Sequence, residues 1–379
     1  MARPRLEALD GLRFLAALAV VGYHFTAMDR VWWRPAATVF PDQPFAYGWL
    51  GVHLFFLISG FVICMSAWDR TVGEFLISRT VRLYPAYWLS VAVAVVVATF
   101  WPFIVRDVSV ASTLVNLTMF QEGVGVAPLN EVYWTLWAEL RFYLIFSLVV
   151  WWGLNYQRVV AFCVVWLGLV TVAKAVVPDG TIVHTVLMTE YAPLFTGGIG
   201  FYLLYRSGTR VSKDTRVSNA PNPRVQPNGP ASSTNQARMA WAIVAVSFLL
   251  AVPAARFRAS MEADPGQVVA RWPAVVLLAV CFLLVGAVAL GWLSWVRGRW
   301  VVALGATTYP LYLLHLDIGG AVLNRLQWTV PPALLVTVVA AAMIVLAWLV
   351  HRYVERPLAP LLKRALSSMS TRVHQRVRA

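Results

Sequence analysis

Residues 8–28 read ALDGLRFLAALAVVGYHFTAM. The stretch is long enough to cross the hydrocarbon core of a bilayer, which needs roughly 20 apolar residues. It nevertheless carries Asp10, Arg13 and His24. Arg3 and Arg5 precede it, as basic residues precede the apolar run of a secretory signal peptide. Asp10 and Arg13 interrupt that run, however, and no small-residue cleavage site follows. The stretch therefore reads as a retained membrane helix with ionisable groups built into it.

Nine further stretches of similar length and character follow, at 46–67, 84–105, 132–153, 159–178, 187–205, 239–256, 272–295, 301–324 and 331–351. Composition agrees. Hydrophobic residues make up 60% of the chain and charged residues 13%, against roughly 45–50% and about 25% in soluble domains. A soluble fold of this composition would expose large apolar patches. The expected architecture is all-α: a polytopic membrane helix bundle of about ten transmembrane helices.

The formal net charge of +14 would suit a nucleic-acid partner if it lay on one surface, but its distribution excludes that. With the N-terminus in the cytoplasm and the spans alternating, 21 basic residues fall inside, 7 outside and 3 (Arg13, Arg141 and Lys174) within helices, which accounts for all 31. The positive-inside rule then places both termini in the cytoplasm.

Two segments read as non-membrane. Residues 207–237 are rich in Ser, Asn, Pro and Gly and hold no aromatic residue, so they cannot bury enough surface to fold and are expected to be a disordered cytoplasmic loop. Residues 353–379 form a basic cytoplasmic tail with apolar residues among the charges. It is either a helix lying on anionic lipid or plain disorder. Residues 1–352 are the membrane domain. Cys64, Cys163 and Cys281 each sit in an apolar run without metal or redox spacing and read as buried hydrophobes. One local echo, Tyr84-Pro85-Ala86-Tyr87 against Tyr309-Pro310-Leu311-Tyr312, lacks matching flanks and carries little weight as a repeat.

Charge inside a bilayer costs at least about 2.5–3.5 kcal/mol per residue and marks function by default. From Arg13 to His24 a helix turns three times plus about 20° and rises about 16 Å, while Asp10 stands about 40° from His24. All three share one face. In the fourth span Thr135, Glu139 and Tyr143 recur every fourth residue and stack on one face. The ninth span contributes Tyr312, His315 and Asp317. By the assigned topology His24, Glu139 and His315 all fall in outer halves, so three distant helices converge on one polar site. Arg79 and Arg82, before Tyr84-Pro85, are spaced to fork around phosphate oxygens, although arginines flanking a span are also what topology alone requires.

These motifs resemble the integral-membrane acyltransferase family 3. Leu9-Asp10-Gly11-Leu12-Arg13 with His24 resembles its Arg-x10-His opening, and Phe55 to Phe61 its second-helix motif. Arg79-Thr80-Val81-Arg82-Leu83-Tyr84-Pro85 is similar to its cytoplasmic R-x-x-R-x-x-P element. Trp134 to Leu144 resembles W-[ST]-L-x-x-E-x-x-F-Y-L, and Tyr309 to His315 resembles its Y-x-x-Y-L-x-H segment. The likeness runs in order from residue 6 to about 350.

The resemblance implies an enzyme that moves an acyl group, often acetyl, from cytoplasmic acyl-CoA to a hydroxyl of a sugar-containing acceptor. Such acceptors are exopolysaccharides, glycolipids or glycosylated metabolites. It carries the family's histidine to His24, its first-helix arginine to Arg13 and its paired arginines to Arg79 and Arg82. With the tenth span so near the end, no fused esterase-like domain is expected. Arg13, Arg79, Arg82 and Tyr84 are the expected donor-binding residues. His24 is the expected general base, with Glu139 by preference orienting it and Asp10 and Arg13 beside it. Tyr312, Ser59 or His315 is the expected oxyanion donor. Gly60 and Ala17 are small enough to open a channel for the donor's arm. Trp32, Trp33 and Glu122, in outer loops near 29–45 and 106–131, are placed to face a sugar. A third outer loop lies near 256–271. No metal is expected. Two rival classes remain: a transporter or flippase using intramembrane His and Glu as a proton relay, and a noncatalytic scaffold. The acceptor, the acyl length and the oligomeric state are not legible.

Overall fold

The computed structural model describes residues 6–28, 31–32, 39–40, 45–101, 106, 108–217, 230–261 and 270–378. Among the described residues every regular element is helical: α1 Glu7–Thr26, α2 Leu50–Ala67, α3 Val72–Phe100, α4 Val110–Asn116, α5 Tyr133–Trp152, α6 Tyr156–Val176, α7 Ile182–Leu187, α8 Ala192–Val217, α9 Pro230–Met261 and α10 Arg271–Ala289. Then come α11 Arg299–Leu314, α12 Gly320–Leu326, α13 Pro332–Val350 and α14 Arg356–Arg378. Short π turns, His315–Gly319 and His351–Glu355, join α11 to α12 and α13 to α14.

Nine helices among the described residues are long and apolar enough to cross a membrane, and they correspond to nine of the ten expected spans. The tenth, 187–205, is helical but falls short. Met188 adopts a left-handed conformation (φ 54°) between α7 and α8, and the apolar part of α8 ends at Arg206. From Ala192 that leaves about 21 Å of helix, against a hydrocarbon core of about 30 Å.

Helix α3 begins with a reciprocal cap. The Glu74 amide donates to Thr71 Oγ1 at 3.3 Å, and the Thr71 amide donates to Glu74 Oε2 at 3.0 Å, which satisfies two donors that the helix end would otherwise orphan. The helix is about 43 Å long, so more than a hydrocarbon core. The excess is its polar first turns, which carry Arg79 and Arg82. Pro85 lies inside it, removing one ladder hydrogen bond next to the arginine pair.

The chain divides into two units. The first holds residues 1–12, 53–70 and 144–298. Its core is made by glycine-mediated contact of α2 with α8. A Cβ on Gly60 would stand 2.0 Å from the Phe195 carbonyl oxygen, and one on Gly198 would stand 2.0 Å from the Leu57 carbonyl oxygen. Small residues let membrane helices approach this closely. Gly60 therefore seats a neighbouring backbone and does not open a channel, contrary to expectation. Thr196 Oγ1 and Ser247 Oγ, 2.9 Å apart, join α8 to α9.

The second unit holds residues 13–52, 71–143 and 299–379. Gly48 and Gly51 seat α2 against the carbonyls of Ala19 and Ala16 in α1, so Ala17 lies in a packed seam and is fully buried. The segment expected as an outer loop at 106–131 instead packs back along α3. Tyr84, Tyr87 and Trp88 donate to the carbonyls of Thr118 (2.7 Å), Asn116 (2.6 Å) and Leu117 (3.1 Å). Tyr84 lies about 24 Å along α3 from its end at Phe100. Irregular backbone is tolerated at such depth only where its polar groups find protein partners, and these three donors supply them.

Both segments expected as non-membrane are helical where described. The loop at 207–237 continues α8 to Val217 and begins α9 at Pro230; residues 218–229 lie outside the described residues. At the tail, α13 runs on through the π turn into α14, so the expected boundary at 352 falls within continuous helix. Glu355 explains why: it is buried in the second unit and paired with Arg82.

Candidate active site

The second unit brings His24 of α1 and His315 of the first π turn together. His24 Nδ1 lies 2.8 Å from His315 Nε2, and the rings stack with centroids 5.0 Å apart and an interplanar angle of 27°. His315 is fully buried and His24 half-buried. The other nitrogen of His315, Nδ1, faces the carbonyl oxygens of Leu311 at 3.1 Å and Tyr312 at 2.8 Å.

These contacts assign the protons. Carbonyls only accept, so His315 Nδ1 carries hydrogen, and a neutral imidazole carries one proton on one nitrogen. His315 Nε2 is then an acceptor, and His24 Nδ1 must donate to it. The unprotonated nitrogen of neutral His24 is therefore Nε2, the basic one. A proton taken there makes an imidazolium whose Nδ1–H already points at an acceptor. The pair reproduces the orienting logic of a His–carboxylate couple with an imidazole in the carboxylate's place, and it buries no negative charge.

His315 is held from several sides. The π turn is a local widening of the helix, often found at functional sites. Asp317 in the same turn is fully buried and is engaged by Arg106 in a close ion pair and by the Asn130 amide. Asn130 Nδ2 also donates to the Leu313 carbonyl at 3.2 Å, and Ser90 Oγ donates to it at 3.3 Å. Below it, Thr135 donates to the Val132 carbonyl at 2.8 Å. The Tyr312 hydroxyl stands 2.9 Å from Thr135 Oγ1 and 3.5 Å from the Val132 carbonyl oxygen, so its proton has acceptors within the bundle.

Glu139 accepts from the Tyr143 hydroxyl, on the face of α5 that the fourfold spacing predicted. Nδ1 of His24 meets His315 where an acidic partner was expected. Arg82 is 41% exposed at its side chain and pairs with Glu355 at 3.8 Å; its guanidinium lies 5.9 Å from the centre of the Tyr309 ring. Glu355 also accepts from His351 Nδ1 at 2.6 Å. Arg79 donates to Ser78 Oγ at 3.1 Å. Arg13, in the same unit, acts electrostatically on Tyr143 together with Arg79. Tyr84, expected among the donor-binding residues, spends its hydroxyl on Thr118. Asp10 and Ser59 are buried residues of the first unit and are not among those the second unit assembles.

The expected acceptor contacts fare differently. Trp32 is buried and donates to the Phe25 carbonyl at 3.2 Å. Trp33 lies outside the described residues, as do most of 29–45 and half of 256–271. Glu122 is on the packed-back segment. Burial pushes its carboxyl above the ordinary carboxylate range, and the Arg141 guanidinium pulls it part of the way back. Sequence reasoning missed Arg106, Asn130 and Glu355. Only Glu355 carried a signal, its spacing four residues after His351. Among the described residues no cluster of His, Cys, Asp and Glu could hold a metal ion.

Comparison with known proteins shows the family to which the chain belongs. Residues 6–352 match the family model described as an acyltransferase domain. The chain is 25% identical to acyltransferase MdmB of Streptomyces mycarofaciens, over 95% of this chain and 93% of that protein. It is 28% identical to the peptidoglycan O-acetyltransferase OatA of Listeria monocytogenes, over 38% of this chain and 24% of that protein. It is 32% identical to O-acetyltransferase OatA of Staphylococcus aureus, over 40% of this chain and 26% of that protein. The chain thus spans about a quarter of the length of the OatA proteins it matches. No solved structure gives a significant match.

Proposed function

The chain belongs to the membrane acyltransferase family whose domain it carries, and from that premise we propose that it transfers an acyl group, acetyl by preference, from cytoplasmic acyl-CoA to a hydroxyl of a sugar-containing acceptor. It is an O-acyltransferase with many membrane helices. On this reading it sits in the cytoplasmic membrane of a bacterium with both termini in the cytoplasm, which requires the segment 187–205 to cross despite its short apolar length.

The observation that carries the proposal is the tautomer imposed on His24 by His315. In the proposed reaction His24 Nε2 accepts the proton of the acceptor hydroxyl as the oxygen attacks the thioester carbonyl. The C–S bond breaks as the tetrahedral intermediate collapses. The thiolate leaves, and the imidazolium returns the proton to it, so ester and free thiol are the products. Arg82 and Arg79 supply positive charge for the donor's phosphates, and Arg82 is the more exposed of the two. Tyr309 and Tyr143 are each near enough to Glu139 and to one of these arginines to feel their charge, Arg82 for Tyr309 and Arg79 for Tyr143.

The test is coenzyme A release from acetyl-CoA by the protein in proteoliposomes supplied with bacterial glycolipid. Release that requires both glycolipid and His24 supports the proposal. Gradient-driven uptake of glycolipid without coenzyme A release would replace it with the transporter reading.

A further inference from the structure

Three buried polar atoms around the Arg79 and Arg82 pair have no hydrogen-bond partner among the described residues: the Tyr309 hydroxyl, Glu355 Oε1 and Arg79 Nε. Leaving one such group unsatisfied costs about 1–3 kcal/mol, and native structures carry few without a reason. Two of them belong together. Arg82 pairs with Glu355 at 3.8 Å and lies over the Tyr309 ring at 5.9 Å, and Glu355 lies close enough to act electrostatically on the Tyr309 hydroxyl. The Glu355 side chain is only 7% exposed. Its Oε2 is taken by His351 and Arg82, which leaves Oε1 as an acceptor. Tyr309 offers a donor. A donor and an acceptor that both border the Arg82 guanidinium and are not bonded to each other fit a group that is both.

The geometry points to a slot for a secondary amide of the donor's pantetheine arm, with Tyr309 O–H donating to the amide carbonyl and Glu355 Oε1 accepting the amide N–H. This rests on the acyl-CoA reading above and adds the contacts that read the arm. Reach selects the amide. Tyr309 precedes His315 by six residues, about 9 Å along the helix. In pantetheine the amide farther from sulfur begins seven bonds away, about 9 Å when extended. With that amide in the slot, the thioester reaches the histidine pair and the nucleotide lies beyond Arg82.

Tyr309→Phe tests this cleanly, because it removes a hydroxyl with no partner among the described residues and leaves the ring. Binding of coenzyme A and of pantetheine to the purified full chain in detergent is measured by calorimetry, with thermal unfolding as the check on folding. The expected result is an equal loss for both ligands, about five- to tenfold, with the unfolding temperature unchanged or raised. Arg82→Ala is expected to weaken coenzyme A far more than pantetheine. Unaltered affinity for both ligands in Tyr309→Phe, with Arg82→Ala still weakening coenzyme A, overturns the slot, leaves it a water site only, and spares the donor reading. If the unaltered protein binds neither ligand, the slot and the donor reading fall together.

Discussion

His315 holds His24 by Nδ1 and leaves Nε2 outside the contact. The 2.8 Å contact from His24 Nδ1 to His315 Nε2 is fixed at its far end by two backbone carbonyls, so one residue sets the tautomer of the other. His315→Phe keeps the packing and loses the acceptor. We expect turnover to fall about a hundredfold or more, as when a base loses its orienting partner, with donor binding unchanged. His315→Gln retains an acceptor in its side-chain oxygen and should lose less than His315→Phe. Equal losses in the two variants would assign His315 a packing role alone.

Arg106 and Asp317 are a buried pair, and Asn130 completes it. Removing one partner of a buried pair strands a charge and costs about 3–5 kcal/mol, whereas removing both is far less costly. Asp317→Leu is therefore expected to lower the unfolding temperature sharply, and Asp317→Leu with Arg106→Met to recover most of it. Because the π turn carries both Asp317 and His315, the single variant should also lose activity. Additive losses in the double variant would show that the two residues act independently.

Gly60 and Gly198 seat α2 on α8, where an added Cβ would stand 2.0 Å from a backbone oxygen. Backbone cannot yield as a side chain can. Gly60→Val and Gly198→Val are expected to destabilise by about 1–3 kcal/mol, read as thermal unfolding in detergent. If Gly60 lined a donor channel instead, Gly60→Val would weaken coenzyme A binding at unchanged stability.

Glu122 carries a pH dependence. Its folded carboxyl titrates above the ordinary value because of burial, with Arg141 opposing. Between the ordinary and raised values the folded state binds the extra proton. Stability contributed by the protonated form is thus full below the ordinary value and falls as pH rises through the window. Glu122→Gln should remove that slope in unfolding temperature against pH, and Arg141→Ala should widen it. A flat profile in the unaltered protein would contradict the burial of Glu122.

The spans and the ionisable residues within them were legible because charge in an apolar run is costly and therefore visible. Asp10, Arg13, His24, Glu139 and His315 all stood out, and nine of ten helices fell where hydropathy placed them. Partnership was not legible. His24 and His315 are separated by 291 residues, and their contact depends on helix packing that periodicity does not encode. A carboxylate was expected at His24 on chemical preference, and an imidazole met Nδ1. The segment at 110–124 looked like a surface loop because its polarity is satisfied by tyrosines of another helix. Glu355 was hidden because the tail's net positive charge masked one acidic residue that belongs to the bundle.

The most direct measurement of the central claim is acetyl transfer from radiolabelled acetyl-CoA into the glycolipid and glycan fraction of bacterial membranes, catalysed by the unaltered protein and by His24→Ala at matched unfolding temperature. The account predicts label incorporation by the unaltered protein and, for His24→Ala, a loss of about 10²- to 10⁴-fold, the usual contribution of a general base. Undiminished incorporation by His24→Ala would contradict it.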